Sequence, residues 1–373
     1  MIFSVMLTIY LPLAIYILVD DYQVQLNARA HSTPLVIGPR GNRFDLVFHA
    51  LYFRAEALAG LTMNEMQTVN SSRLAKAIPL HCMFTARDFP IVGTTIEFFE
   101  FRDLNIADGH CFSMLGDCVL GADAAGELGL HPGDTLMSDP VNPFDLAGEY
   151  PLNMHVCGIL EESGTVDDQA IFVDVKTSWV IQGLGHGHDD VTQLKDKSVI
   201  LSQDAGNVVA SSGLKHYMQI TADNIDNFHF HGEPGNFPLT AIICLPVNDK
   251  SAALLAGRYQ DVSLGLQLLK PEMVVSELFA MILKIKRFFD ANVLMVSFST
   301  GMLLSLVVLL SIRLRQSEMK TMFYIGCSRG TIFWLETIEM IIVFTLALLL
   351  ALLLSYITSI YLPGWLNIIF GVI

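Results

Sequence analysis

The sequence predicts an α+β protein in which a large mixed domain, residues 20–290, is inserted between a first and a second membrane-spanning helix. Three observations carry that expectation. Apolar runs stand at both ends of the chain: IFSVMLTIYLPLAIYILV at 2–19, the uncharged ANVLMVSFSTGMLLSLVVLLSI at 291–312, and a third from about Thr331 to Tyr356. About 20 apolar residues suffice to cross a bilayer core as a helix. The region between holds 34 of the 37 acidic residues and 18 of the 22 Lys and Arg, a formal charge of −16 over a length that can bury its own core. Within it, short alternating runs, helical-period runs and turn clusters interleave, the pattern of a mixed domain.

Taken in order, 1–19 is transmembrane helix 1, with Pro12 as a kink that a membrane helix tolerates. It lacks a basic leader and a small-x-small cleavage site, which separates it from a signal peptide. It is short, so either its start lies upstream or the helix begins raggedly. Asp20–His31 extends it as a helix. Gly38–Asn42 is a turn, 44–51 reads as helix or strand, and 74–84 and 94–101 read as strands. Asp123–Leu130 is a short helix capped by Gly129, and a strand begins near Thr135. Strands follow at 155–160 and 170–175, a Gly/His loop at 183–187, and a short strand at 198–201 with a partly helical stretch to Ser212. Leu239–Val247 is a buried strand that Pro246 ends, and 252–258 and 268–289 are helical, the latter running into transmembrane helix 2 at 291–312. The loop 313–330 comes next, then transmembrane helix 3 at 331–360 and a short apolar tail at 361–373, set off by a break at Leu362-Pro363-Gly364.

The loop RLRQSEMKTMFYIGCSRG carries four basic residues against one acidic, which places it on the cytoplasmic side. Residues 20–290 then lie outside the cytoplasm and the amino terminus inside, although Lys284, Lys286 and Arg287 sit on the outer side of the second span. Glu318–Tyr324 within the loop is amphipathic, with Met319, Met322 and Phe323 on one side, a short helix ended by Gly326. Glu336 and Glu339 sit three apart near the start of the third span, placed for local ion pairs with Arg329 or Lys320 or for contact with a partner's basic residues.

No phosphate-binding glycine loop, nucleophile elbow or HExxH pattern occurs, so the chain is not expected to be an enzyme by itself. Its acidity argues against nucleic acid as a partner. Cys82, Cys111, Cys118, Cys157 and Cys244 are singly spaced in the domain and read as small buried residues. Two histidine clusters are the remaining candidates: His186, His188 and Asp189, then His229 and His231 some forty residues later. Imidazoles with a carboxylate suit zinc or another divalent metal; a solvated Gly/His loop is the plainer alternative.

The segment SIRLRQSEMKTMFYIGCSRGTIFWLETIEMII resembles the FtsX/MacB-like permease family of bacterial ABC systems. The residues that carry it are Glu318, Met319, Met322, Ile325, Gly326, Cys327 (where alanine is usual), Ser328, Arg329 and Glu339. VLGADAAGELGLHPGDTL and VCGILEESGTVDDQAIFVDV resemble the family's MacB-like core domain. The resemblance implies a multi-pass permease of the bacterial cytoplasmic (inner) membrane, working as a homodimer or heterodimer with a separate cytoplasmic ATPase subunit that binds the ATP. Residues 313–330 would be its coupling element, through Glu318, Met319, Met322, Phe323, Gly326, Ser328 and Arg329. It further implies export or mechanotransmission, moving or extracting a cargo or acting on a periplasmic or outer-membrane partner. A non-transporting FtsX-like regulator of an extracytoplasmic protein, or a metal-binding envelope sensor, are the alternatives. The family expects four spans, so either a fourth is missing here or the tail is re-entrant.

Overall fold

The computed structural model describes residues 2–54, 60–140, 151–187, 200–204, 207–210 and 217–370. They divide into two compact units, Arg29–Val275 on one side and Met1–Ala28 with Ser276–Ile373 on the other. The chain opens with α1 (Ile2–Ser32) and continues through β1 (Leu35–Pro39), α2 (Arg43–Tyr52), β2 (Leu61–Thr62), α3 (Met63–Ser71), β3 (Ala75–Ala86), β4 (Phe89–Thr94) and α4 (Ile96–Arg102). Next come β5 (Ile106–Gly109), β6 (Asp117–Leu120), α5 (Ala122–Leu128), β7 (Thr135–Met137), β8 (Asn153–Leu160), a 3₁₀ turn at Val166–Gln169, β9 (Ile171–Asp174) and α6 (Val175–Ile181). Then follow β10 (Gly185–Gly187), β11 (Ile200–Asp204), β12 (Asn207–Ala210), β13 (Phe228–Phe230), β14 (Pro238–Leu239), β15 (Ala241–Pro246), α7 (Asp249–Arg258) and β16 (Leu266–Leu269). Helices α8 (Pro271–Leu314), α9 (Gln316–Tyr324) and α10 (Arg329–Phe370) complete it.

Arg29–Val275 is built on a ten-stranded mixed sheet in the order β16-β1-β15-β3-β4-β9-β6-β8-β5, with β7 paired to β8. The pairs β4–β9 and β6–β8 are parallel and the others antiparallel. The central strands are buried almost residue by residue, β3 among them, because both faces of the sheet are covered. The β3–β4 hairpin turns on Arg87 and Asp88, both at positive φ (53° and 71°). Asp139 holds that turn, its carboxylate accepting from the Thr85 hydroxyl at 2.7 Å and the Arg87 amide at 3.1 Å. At the centre, the rings of Phe53, Phe98, Phe99, Phe112 and Phe172 pack with centroids 5.4–6.1 Å apart.

Several elements differ from the sequence expectation. The stretch 94–101 is helix α4 beyond Thr94, because Phe98 and Phe99 are both buried. Neighbouring residues can share the inner side of a helix but point to opposite faces of a strand. Residues 185–187, expected in a loop, form β10 against β13. The described part of the stretch to Ser212 is strand β12 paired to β11, with β-branched Val208 and Val209 in it. Leu268 and Leu269 belong to edge strand β16, and Pro271 starts the following helix, where its missing N–H costs nothing. The break expected at Leu362-Pro363-Gly364 is absent: α10 runs on to Phe370 with Pro363 inside it, as Pro12 lies inside α1, an interior proline that an apolar helix tolerates. Cys82, Cys118, Cys157 and Cys244 are buried free thiols and Cys111 is half-buried.

Two buried histidines leave ring nitrogens without hydrogen-bond partners among the described residues: both nitrogens of His81 and Nε2 of His49. Burial lowers each pKa to about 4, opposed on His49 by its contact with the Arg54 carbonyl. The folded state therefore holds both rings neutral while the unfolded chain protonates them near 6.5. The domain is expected to lose stability as pH falls from about 6.5 towards 4. Hydrogen exchange of the β3 amides across that range checks this: the exchange free energy should decline with pH, and His81→Phe should flatten the decline.

Among the described residues of the other unit, two stretches are long and apolar enough to cross a membrane, Leu294–Leu314 and Arg329–Tyr361. None of the first and 17 % of the second is buried, so both present apolar surface outward. The N-terminal helix packs on α10. Val5 and Met6 cluster with Ala347 and Ala351, and the Tyr10 hydroxyl meets that of Thr358 at 2.8 Å. The buried positions Ala347, Ala351 and Ser355 recur every four residues, the small-residue spacing that lets two helices approach closely. Both sets of contacts advance in the same direction along the chain, so α1 and α10 run parallel here.

Candidate functional site

The turn between the two long apolar helices is a built structure. Helix α9 presents Gln316, Met319, Lys320, Phe323 and Tyr324 along one stripe at helical spacing. With Val308 and Ile312 of α8 and Arg329, Phe333, Thr337 and Met340 of α10, that stripe lines an open groove of about 730 Å³. Met322, expected on the same side, is off the groove, because at 3.6 residues per turn it falls about 60° around the helix beyond Met319, outside the stripe. The Arg329 guanidinium sits 5.5 Å from the Phe323 ring centroid, so the rim of an apolar groove is cationic.

The polar residues of the turn have structural duties. Glu318 lies in the first turn of α9, where a carboxylate complements the helix dipole. Gly326, at φ 106°, lets the chain leave α9. Ser328 is the N-cap of α10, its hydroxyl oxygen accepting from the Thr331 amide at 3.1 Å. Glu339 pairs with Arg315 at 2.7 Å rather than with Arg329 or Lys320; the α8 end and the start of α10 adjoin there. Both partners are well exposed, so the pair fixes geometry more than stability. The Glu336 side chain lies outside the described residues. Ser328→Ala is expected to weaken the first turn of α10 by about 1 kcal/mol, read as faster hydrogen exchange at 329–333.

The histidines form a second site. Registered across β10–β13, His186 stands directly opposite His229, and His231 lies two residues on. One ligand nitrogen from each falls within 4.8 Å of the other two, and the ring centroids are 4.7–4.9 Å apart. Local sequence dictates this. Phe228 and Phe230 pack over Gly187 and Gly185, where an added Cβ would come within 2.5 and 2.7 Å of the rings. The GHG and FHFH patterns thus interlock with phenyl rings on one face and imidazoles on the other. His188 and Asp189 lie outside the described residues.

A third constellation escaped sequence reasoning. Arg29, in the last turn of α1, makes a bidentate ion pair with Asp167 at 2.6 and 2.8 Å, both side chains buried, and its Nε donates to the Leu51 carbonyl. Arg102 donates to the hydroxyls of Ser32 and Thr33 at 2.9 and 2.8 Å. The neighbouring Asp168 closes the Gly164 turn, accepting from the Gly164 amide at 2.7 Å. Gly121 is required where this turn crosses β6, since a Cβ there would stand 2.2 Å from the Asp168 carbonyl oxygen. The usable signal was the acidic pair following Gly164-Thr165, one carboxylate for the turn and one left over.

No family model matches the chain, and no curated protein does. Among solved structures, it is similar to the periplasmic region of MacB from Actinobacillus actinomycetemcomitans, with TM-score 0.37 and 10 % identity, covering 66 % of this chain and 92 % of that one. It is also similar to the extracellular domain of the noncanonic ABC-type transporter YknZ from Gram-positive bacteria, with TM-score 0.34 and 10 % identity, covering 63 % of this chain and 98 % of that one.

Proposed function

We propose that this chain is the permease subunit of an ABC-type export or mechanotransmission complex, driven by a separate cytoplasmic ATPase. The observation that carries this reading is α9 with its groove: a short helix between two long apolar helices, presenting Met319 and Phe323 beside Lys320 and Arg329. An apolar anchor ringed by cations is what a soluble partner needs to grip a membrane subunit, because the anchor supplies affinity and the rim supplies orientation. The sequence resemblance over 311–342 supports the same role. The chain itself supplies no hydrolytic chemistry in this reading; it transmits motion to a cargo or to an extracytoplasmic partner.

The reading includes a topology. The positive loop 313–330 is cytoplasmic, and because α1 and α10 run parallel, the amino terminus lies on the same side. The sheet domain then lies outside the cytoplasm, inserted between the first and second spans, and the outward apolar surface of α8 meets lipid or a second permease. Labelling intact cells with an impermeant maleimide tests this: Cys327, half-buried in the turn, should react only after lysis, whereas a cysteine placed at exposed His131 should react before it. Equal labelling of both in intact cells rejects the topology. Purification from membranes should bring down an ATPase whose hydrolysis depends on this chain; its absence from complexes that retain α9 intact rejects the function.

A further inference from the structure

We propose that His186, His229 and His231 form a three-imidazole site for a divalent transition-metal ion, zinc first among them, with remaining coordination positions open to water or an external ligand. The site ties strand β10 to strand β13 across an excursion of some forty residues. Three independent features of the structure support it.

The first is spacing. A tetrahedral zinc with Zn–N bonds of roughly 2.0–2.1 Å places its ligand nitrogens roughly 3.3 Å apart. Nε2 of His186 and Nε2 of His231 are 3.5 Å apart, and the third nitrogen is within 4.8 Å of both. Without an ion the first two share one proton as an N–H···N contact; around an ion each turns a lone pair inward.

The second feature is the partner of the other ring nitrogen. Nδ1 of His229 stands 3.3 Å from the Asn227 carbonyl oxygen. That oxygen can only accept, so Nδ1 carries the proton and Nε2 keeps its lone pair. A backbone carbonyl behind the ligating imidazole is the usual outer partner that fixes the tautomer of a metal-binding histidine.

The third is the platform. His186 and His229 are a cross-strand pair, His231 shares their face, and the phenyl rings behind them lean on Gly185 and Gly187. Phe230 extends this packing to Phe237 at 5.8 Å and so to the core of the domain. The imidazoles are held by strands, while His229 and His231 are exposed, so an ion can reach them. An all-nitrogen donor set of this kind suits zinc, copper or nickel and is a poor match for calcium or magnesium, which take oxygen.

The test uses the full chain in detergent, purified without a polyhistidine tag and titrated with zinc chloride and, separately, cobalt chloride. The expected result is one ion per chain, with intense d–d absorption from cobalt that marks low coordination number. His186→Ala, His229→Ala and His231→Gln should each weaken binding at least tenfold, whereas His110→Ala and His131→Ala, on exposed histidines elsewhere, should not. Zinc should also slow hydrogen exchange at 185–187 and 228–230 in the parent and not in His231→Gln, a substitution just past the end of β13 that leaves the β10–β13 pairing and its phenyl packing in place. Binding that is indifferent to the three substitutions overturns the proposal. So does uptake of several weak ions reduced equally by any histidine removed.

Discussion

Asp167→Ala is expected to destabilise the sheet domain by about 3–5 kcal/mol, the cost of leaving a buried charge without its partner. The Arg29 guanidinium would keep its place beneath the end of α1 with the Leu51 carbonyl as its remaining acceptor. Arg29→Met should cost a comparable amount for the converse reason, and the pair Arg29→Met with Asp167→Leu should recover much of the loss, since neither charge then stays buried. Denaturant unfolding of the full chain in detergent reads all three. Single variants within about 0.5 kcal/mol of the parent would show that water reaches the pair. The pH dependence has a definite sign. Burial pushes the Asp167 carboxyl up, but the charge and hydrogen bonds of Arg29, with Arg102 and Thr165, outweigh it and hold the carboxyl below its usual range. Its contribution is thus fully present above pH 3.8 and is lost as pH falls through the lower folded value. That window lies below the one in which His49 and His81 act, so acid unfolding should proceed in two separable stretches of pH.

Met319→Asp with Phe323→Asp is expected to abolish coupling to the ATPase subunit while the protein still reaches the membrane. Both side chains line the groove, and α9 is otherwise exposed, so the substitutions place charge in a contact surface without opening a core. Anchors of this kind carry about 2 kcal/mol or more each, roughly thirtyfold in affinity apiece. Copurification and stimulated ATP hydrolysis should both collapse. Met322→Asp, one position off the stripe, should do much less, and that contrast distinguishes the groove from a general dependence on loop hydrophobicity. Hydrolysis unchanged in the double variant would remove α9 from the coupling role.

Much of this was legible in the chain because it follows from local rules. The long apolar runs, the positive loop, the amphipathic stretch ended by Gly326 and the helix closed by Gly129 each read out a preference written within a few residues. The histidine clusters were visible too, as two short runs of imidazole, although 185–187 was expected in a loop and is a strand. That they meet was not visible: residues 187 and 228 are joined only by the pairing of β10 with β13, which no local preference encodes. Helix α4 shows the same limit in the other direction. Its Phe98 and Phe99 satisfied a strand's composition, and the demand to bury both against Phe172 and Phe112 made them helical. By itself, the sequence determined where the chain is apolar, where it is charged and where it turns. The tertiary structure alone decided which of Asp167 and Asp168 closes a turn and which meets Arg29, and that Glu339 answers Arg315. Those outcomes depend on distances between residues far apart in the chain, and such distances are set by packing the whole sheet and the helices at once.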